Sequence, residues 1–598
     1  MSTKPTHIPP GSDGRPATKG DGAPGTGTGG TLAEAMRLHR GGRLQQAEAI
    51  YKQTLDADPD HAEALHLLGV VAHQQGSHAA AADLIAKAVA RDPNHAKAHA
   101  NLGVALAADG KLDAAVAAYR KATSLDPDHA AAHFNLGVAL AHLDKLDEAA
   151  AAYREAVAVD PGYAAAHVNL GTVLKDQGKL GEAVACCRRA VACDPKLAGA
   201  HYNLGLALKG QDKVDEAIAA YRDAIALVPD YAEAHTNLGV ALRHQGDLDG
   251  AIAAHREALA LRPDYAEAHT NLGVALRKHG DLDGAITAHR QAVALDPDDA
   301  ESYVHLGGCL REAGKTDEAI AAYRHAIVVD PRSERAHSGL ASALLERGDP
   351  GAALEVVDEV LKHSPGSTRF LSIKSHVLNE LGERDSARFL VDFAKFIRTT
   401  TFKTAAGFDS LADFNAAVAR HVCSHPSLEF APSGHATRFG RHSGNLLVEP
   451  KGPIGVLEEM IRGEIEDYMR TLPKDPSHPF MAAQPRRWWL DIWAVIMESQ
   501  GHQISHTHPT GWLSGVYYVK LPSVVRALDQ EQAGWIEFGR PNPKFASRVE
   551  PELKLLKPEE GLIVLFPSYF RHRTVPFYTD EERISIAFDV VPEEVKRR

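Results

Sequence analysis

Prolines fall at positions 59, 93, 127, 161, 195, 229, 263, 297, 331 and 365, each 34 residues after the last. Glycines keep the same interval at 69, 103, 137, 171, 205, 239, 273 and 307. Chance does not hold a register for ten cycles, so most of this chain must fold as repeated units that contact their neighbours rather than as one globule around one core. One unit, residues 98–130, reads AHANLGVALAADGKLDAAVAAYRKATSLDPDHA. Its apolar residues recur at helical spacing: Leu102, Ala105 and Leu106, then Ala115, Ala118, Tyr119 and Ala122. Asp109-Gly110 separates the two stretches, because glycine tolerates positive φ, and Asp126-Pro127 ends the second, because a residue before proline leaves the α region. Each unit is therefore helix–turn–helix, with Gly103 and Ala115 small where the helices approach and Tyr119 filling the gap.

This pattern resembles the tetratricopeptide repeat in period and in small-residue positions. The resemblance implies an all-α superhelical solenoid over residues 31–397: ten full repeats from about 28 to 367, then a degenerate capping unit that keeps Gly382 and Ala387. Residues 1–30, with eight Gly and five Pro, are expected to be a disordered tail, since they cannot bury enough surface to offset their ordering entropy. Asn101, Asn135, Asn169, Asn203, Asn237 and Asn271 hold one position in six successive repeats. In the repeat region of the protein O-linked N-acetylglucosamine transferases, which this array resembles, an equivalent ladder binds peptide backbone in the concave groove. An amide offers both donor and acceptor and suits main-chain groups of any sequence; the alternative is that these amides hydrogen-bond between repeats. Repeats 232–265 and 266–299 are nearly identical, as after a duplication. His99, His133, His167, His201, His235 and His269 are also in register, but they lie on separate helices at a position used for packing, so a metal array is not expected.

The charge balance, 65 Lys+Arg against 78 Asp+Glu for a net −13, argues against a general nucleic-acid binder. No apolar run approaches the roughly 18–20 residues that cross a bilayer, and the N-terminus lacks a signal-peptide core. Five cysteines, three of them close together, form no disulfide framework. The expected location is cytoplasmic, with neither membrane nor nucleic acid as partner.

After residue 398 the period vanishes, and all five Trp lie beyond it. Residues 410–470 still read as helical, in LADFNAAVARHV and GVLEEMIRGEIEDYMRTL. Beyond 488 come DIWAVIMES, LSGVYYVKL, GWIEFG, GLIVLFP and RISIAFDVV, short segments rich in β-branched and aromatic residues. They predict an antiparallel jelly roll over residues 398–598, preceded by helices. Strand alternation would point His506 and His508 to one face, with His572 at a strand end, and three convergent imidazoles suit iron, zinc or copper. On the last strand Arg583 and Ser585 share one face, while Ile584, Ile586 and Phe588 share the other. A guanidinium and a hydroxyl there would clamp a carboxylate.

The order HTH, SGVYYV, FPSYFRH, RIS resembles the 2-oxoglutarate/Fe(II) dioxygenases, especially their prolyl-hydroxylase-like branch. The resemblance implies Fe(II) on His506 and His572, with the far carboxylate of 2-oxoglutarate on Arg583 and Ser585. Of Tyr517 and Tyr518, whichever faces inward would add a hydroxyl, and Tyr518 is the choice. The family's usual carboxylate ligand is absent, and His508 stands in its place. His508 is then a third metal ligand, an outer residue beside a two-ligand metal, or the mark of a weak or dead site. Pro509 and Thr510 disfavour a zinc hydrolase of the His-x-His-x-Asp-His kind. A cupin-like dioxygenase that does not use 2-oxoglutarate is closer, but no Glu follows His508 and Tyr569 replaces the usual Gly. His502 is read as a strand residue outside the ligand set, and no phosphate-binding glycine loop occurs. The resulting expectation is an oxygenase that hydroxylates a protein or peptide side chain held by the array. The alternative is an interaction scaffold with a degenerate β module; a glycosyltransferase is excluded because about 200 residues after the repeats cannot hold two nucleotide-sugar lobes.

Overall fold

The computed structural model describes residues 29–430, 436–448, 450–526, 532–541 and 547–594. The expected disordered tail therefore lies outside the described residues, save its last two. The chain divides into two compact units, residues 1–281 and 282–598.

In the first unit, helices alternate in antiparallel pairs from Gly29–Arg40 and Leu44–Ala57 onward, each 12 to 14 residues long. A Cβ on Gly103 would sit 2.6 Å from the Tyr119 ring, and the same holds for Gly137 against Tyr153; at Gly205 against Tyr221 the gap is 2.5 Å. The glycine is required because an aromatic ring 16 positions later occupies the space of its missing side chain. Between the paired helices Gly110 adopts φ 78°, and where glycine is missing Asp144 and Asp212 take the same left-handed turn at φ 57° and 60°. Exposed ion pairs, Arg120–Glu148, Arg154–Glu182 and Arg188–Glu216, tie successive second helices and add little individually.

The in-register histidines do something other than fill space. Nε2 of His99, His133, His167, His201, His235 and His269 donates to the carbonyl of the proline six residues earlier, at 2.9–3.1 Å. Each is a clasp that fastens a first helix to the preceding inter-repeat turn. The asparagine ladder is also engaged. Asn101 meets His66, Asn169 donates to Tyr153, Asn203 accepts from Thr172, and Asn237 donates to Tyr202 while accepting from Lys209.

The second unit begins with helices Leu282–Leu295 through Arg384–Leu390, the last only 7 residues long. Among its described residues ten strands form two antiparallel sheets: β1 (Arg398–Thr401), β2 (Glu429–Phe430), β3 (Thr437–His442), β4 (Trp488–Gln503), β5 (Leu513–Lys520), β6 (Ile536–Phe538), β7 (Lys554–Leu556), β8 (Leu562–Pro567), β9 (His572–Thr574) and β10 (Arg583–Pro592). The larger sheet has the order β1-β8-β5-β10-β4-β3-β2 and the smaller β7-β6-β9. The fold is thus a repeat solenoid followed by a jelly-roll-like β domain. The helical reading of residues 410–470 holds for Leu411–Cys423 and Pro453–Thr471. It misses β2, of two residues, and β3, and the sequence reading also lacks β1 just before that stretch. Strands β1 and β3, RTTT and TRFGRH, lack an apolar alternation and exist because β8 and β4 offer them partners.

The last helix pair shares a hydrophobic core with the β domain: Leu371, Leu378, Ala387 and Leu390 pack in one cluster with Phe396, Phe414, Tyr569 and Phe570. Polar bonds reinforce the junction. Tyr569 donates to the Leu390 carbonyl at 2.5 Å, His478 to that of Phe389 at 2.8 Å, and Thr368 to that of Pro509 at 3.0 Å.

Candidate metal centre

His506 and His508 do not lie on a strand, as their spacing suggested. β4 ends at Gln503, and the histidines follow in an extended segment clamped by backbone bonds. His506 and His572 exchange both main-chain hydrogen bonds at 3.1 Å, and His508 N donates to Ser568 O at 3.0 Å. The pair is thereby held against the turn between β8 and β9, and His572 is the first residue of β9.

The imidazole hydrogens are committed outward. His506 Nδ1 donates to Ile504 O (2.8 Å), His572 Nδ1 to Phe570 O (3.0 Å), and His508 Nδ1 faces Asp589 Oδ1 at 2.7 Å. The ε2 nitrogens then carry lone pairs, and those of His506 and His508 face each other at 3.3 Å. Only a cation between them, a proton or a metal ion, satisfies both. Ligand atoms of the three histidines lie within 4.8 Å of one another, so all three fall within about 2.8 Å of one point, against metal–nitrogen bonds of ~2.1 Å. Burial, then His508, lowers the His506 pKa to about 3; burial, then His506, lowers that of His572 well below the ordinary value. Both rings are neutral, the form that binds metal. Outer groups fix the orientation: Ser514 donates to Asp589 at 2.6 Å, and Trp493 stacks on His508 at 5.6 Å between ring centroids.

The cluster opens into a cavity of about 320 Å³ lined also by Tyr518, Arg583 and Ser585. β10 supplies Arg583, Ser585, Ala587 and Asp589 to it, while Ile584, Ile586 and Phe588 go to the core. Arg583 is 2% exposed, and among the described residues no carboxylate pairs with it. Nη1 donates to Ser585 Oγ at 3.3 Å, the guanidinium lies 5.1 Å from the centre of the Tyr518 ring, and Nε has no hydrogen-bond partner. Burial lowers the Arg583 pKa. The Tyr518 hydroxyl is likewise buried and interacts with the Arg583 guanidinium. Tyr517 points away and donates to Asn415 at 2.7 Å. His502, on β4, pairs in register with Arg438 and is outside the cluster. Neutral imidazoles on one side of a cavity and an uncompensated guanidinium on another fit a metal ion together with a carboxylate-bearing ligand.

Asp589 escaped sequence reasoning. Its signal was present, since Arg583, Ser585, Ala587 and Asp589 alternate along one strand face.

Residues 491–589 match the family described as "Putative 2OG-Fe(II) oxygenase". Seven segments between residues 32 and 334, and a further segment at 310–377, match tetratricopeptide-repeat families. The chain belongs to the tetratricopeptide-repeat proteins and carries a 2-oxoglutarate/Fe(II) oxygenase-family domain after the array. No curated protein matches it. Among solved structures, the crystal structure of MamA is 28% identical, covering 28% of this chain and 97% of its own, with a TM-score of 0.26. YrrB, described as a TPR protein with an unusual peptide-binding site, is 24% identical over 31% of this chain and 96% of its own, with a TM-score of 0.28. Among the described residues no helix is long and apolar enough to cross a membrane.

Proposed function

We propose that the β domain is a 2-oxoglutarate-dependent Fe(II) oxygenase acting on a side chain of a protein or peptide that the repeat array recruits. The observation that carries this reading is the pairing, in one cavity, of three convergent imidazoles with a buried guanidinium that has no anion. His506, His508 and His572 would hold the metal, and Arg583 with Ser585 would receive the distal carboxylate of 2-oxoglutarate. Tyr518, whose buried hydroxyl borders Arg583, would add a hydrogen bond to the same carboxylate. An iron bound there supplies oxidative decarboxylation of 2-oxoglutarate coupled to hydroxylation of a C–H bond. The protein's part is placement. Backbone carbonyls and Asp589 hold each imidazole in one tautomer, and Asp589 brings a negative charge next to a ligand set that lacks the family's carboxylate. Phe566, 4.6 Å from the His572 ring between centroids, and Trp493 form apolar walls that limit water.

The array's part rests on its family, whose members bind proteins or peptides. Because at least four rungs of the asparagine ladder bond within or between repeats, peptide capture by Asn101, Asn135, Asn169, Asn203, Asn237 and Asn271 requires second bonds from amides that already have partners.

The test is succinate release from 2-oxoglutarate by the full chain with Fe(II), ascorbate and air. Turnover that disappears in His572→Ala and in Arg583→Ala supports the oxygenase. Absence of iron binding and of turnover instead identifies an interaction scaffold with a non-catalytic β module.

A further inference from the structure

A second cluster, in the first unit, has the composition of a metal site that the oxygenase reading does not use. Glu63 and His66 lie one turn apart on helix Ala62–Gln74, and His95 is the N-cap of helix Ala96–Ala108. Their ligand atoms all lie within 4.8 Å of one another. A carboxylate oxygen of Glu63 is 3.9 Å from Nδ1 of each histidine, and the two rings meet edge-on at 5.0 Å. These gaps are too long for hydrogen bonds, yet short enough for one ion to bridge. His66 is 2% exposed, and its Nδ1 is buried without a hydrogen-bond partner.

The repeat register shows how unusual this is. Ala100, Phe134, Val168, Tyr202 and Thr236 occupy the position of His66 in the following repeats, and no other repeat combines a Glu and two His at these three places. A buried imidazole with an idle nitrogen costs free energy that those residues avoid. Here the idle nitrogen borders Glu63 and His95, so one cation would engage all three side chains.

We propose that Glu63, His66 and His95 form a second metal site, separate in sequence and chemistry from the β-domain histidines, that takes a divalent transition cation of the zinc type. Two imidazoles and a carboxylate select zinc, copper or nickel over calcium and magnesium, which prefer all-oxygen sites. Three protein ligands leave a coordination position open to water or to a side chain of a bound partner. The surroundings suit the role. Burial, then His95, lowers the His66 pKa to about 4, so its ring is neutral. Asn101 lies 2.9 Å from His66 Nε2, and with its amide turned so that Oδ1 accepts from Nε2–H, the Nδ1 lone pair faces Glu63 and His95. Glu63 and His95 have side chains 38% and 28% exposed, which gives an ion access.

Zinc is titrated into the chelator-treated full chain against a chromophoric chelator, and bound metal is counted by elemental analysis. H95Q and E63Q are each expected to remove about one equivalent relative to the unsubstituted chain, with far-UV circular dichroism and metal-free melting unchanged. His95 makes no side-chain cap bond, so its replacement leaves the helix start intact. Because the readout is a decrement, it is independent of whether the β-domain histidines also bind zinc and of whether that domain is an oxygenase. An unchanged zinc count in both variants overturns the proposal. So does an equal loss in H99Q, a neighbouring histidine whose Nε2 is already bonded to Pro93 O.

Discussion

At the scale of single residues, the β-domain cavity is built from groups that are costly unless something binds them. Arg583 is a guanidinium buried without an anion, so its replacement by Met should raise the melting temperature of the ligand-free chain while abolishing stabilisation by added 2-oxoglutarate. A thermal-shift series with and without the keto acid reads both effects at once. Asp589 acts through His508. Asp589→Asn offers an amide that no longer enforces the Nδ1–H tautomer, and iron affinity should fall by about 10–100-fold, measured by chelator competition. Most of these residues were legible in the sequence because strand alternation assigns Arg583 and Ser585 to one face and family order singles out the histidines. His508 was named too, but its tie to Asp589 was not, because that depends on a residue 81 positions later reaching its Nδ1. No local pattern encodes that meeting.

At the scale of helices and strands, a glycine and the ring it accommodates 16 residues on form the unit of repeat packing. Gly205→Val should cost about 1–3 kcal/mol by forcing the Tyr221 ring off its seat, visible as a lower melting temperature of the full chain. Where tyrosine is replaced, His255 is 0% exposed with neither ring nitrogen hydrogen-bonded, and burial lowers its pKa from 6.5 to about 4. Since the unfolded ring takes up a proton first, the contribution of this site is whole above pH 6.5 and is lost as pH falls toward 4. The span corresponds to at most about 3 kcal/mol. His255→Tyr restores the ring found at Tyr221 and should remove that part of the acid sensitivity, seen by comparing melting at pH 7 and pH 5. The helices themselves were readable from spacing and breakers. The proline clasps of the in-register histidines were not, because only the turn geometry brings Nε2 to a carbonyl six residues back.

At the scale of the molecule, the change of composition near residue 398 suggests a boundary that packing does not respect. The final helix pair contributes Leu371, Leu378 and Leu390 to the β-domain core, and Tyr569 and His478 bond to its end. A chain starting at residue 398 should therefore aggregate or melt without cooperativity. One starting at residue 282, where the second compact unit begins, should show a single sharp transition by circular dichroism. The amino-acid order by itself determined the repeat, its period, its helix pairs, and the strand character of the last hundred residues. These follow from local rules: which residues break a helix, which face is apolar, and where side chains are small. Tertiary structure alone decided that the last repeat shares the core of the β domain, that β1 and β3 are strands, and that three imidazoles and Asp589 meet at one cavity. Each of those depends on partners that are distant in sequence, and a partner's position is a property of the folded chain.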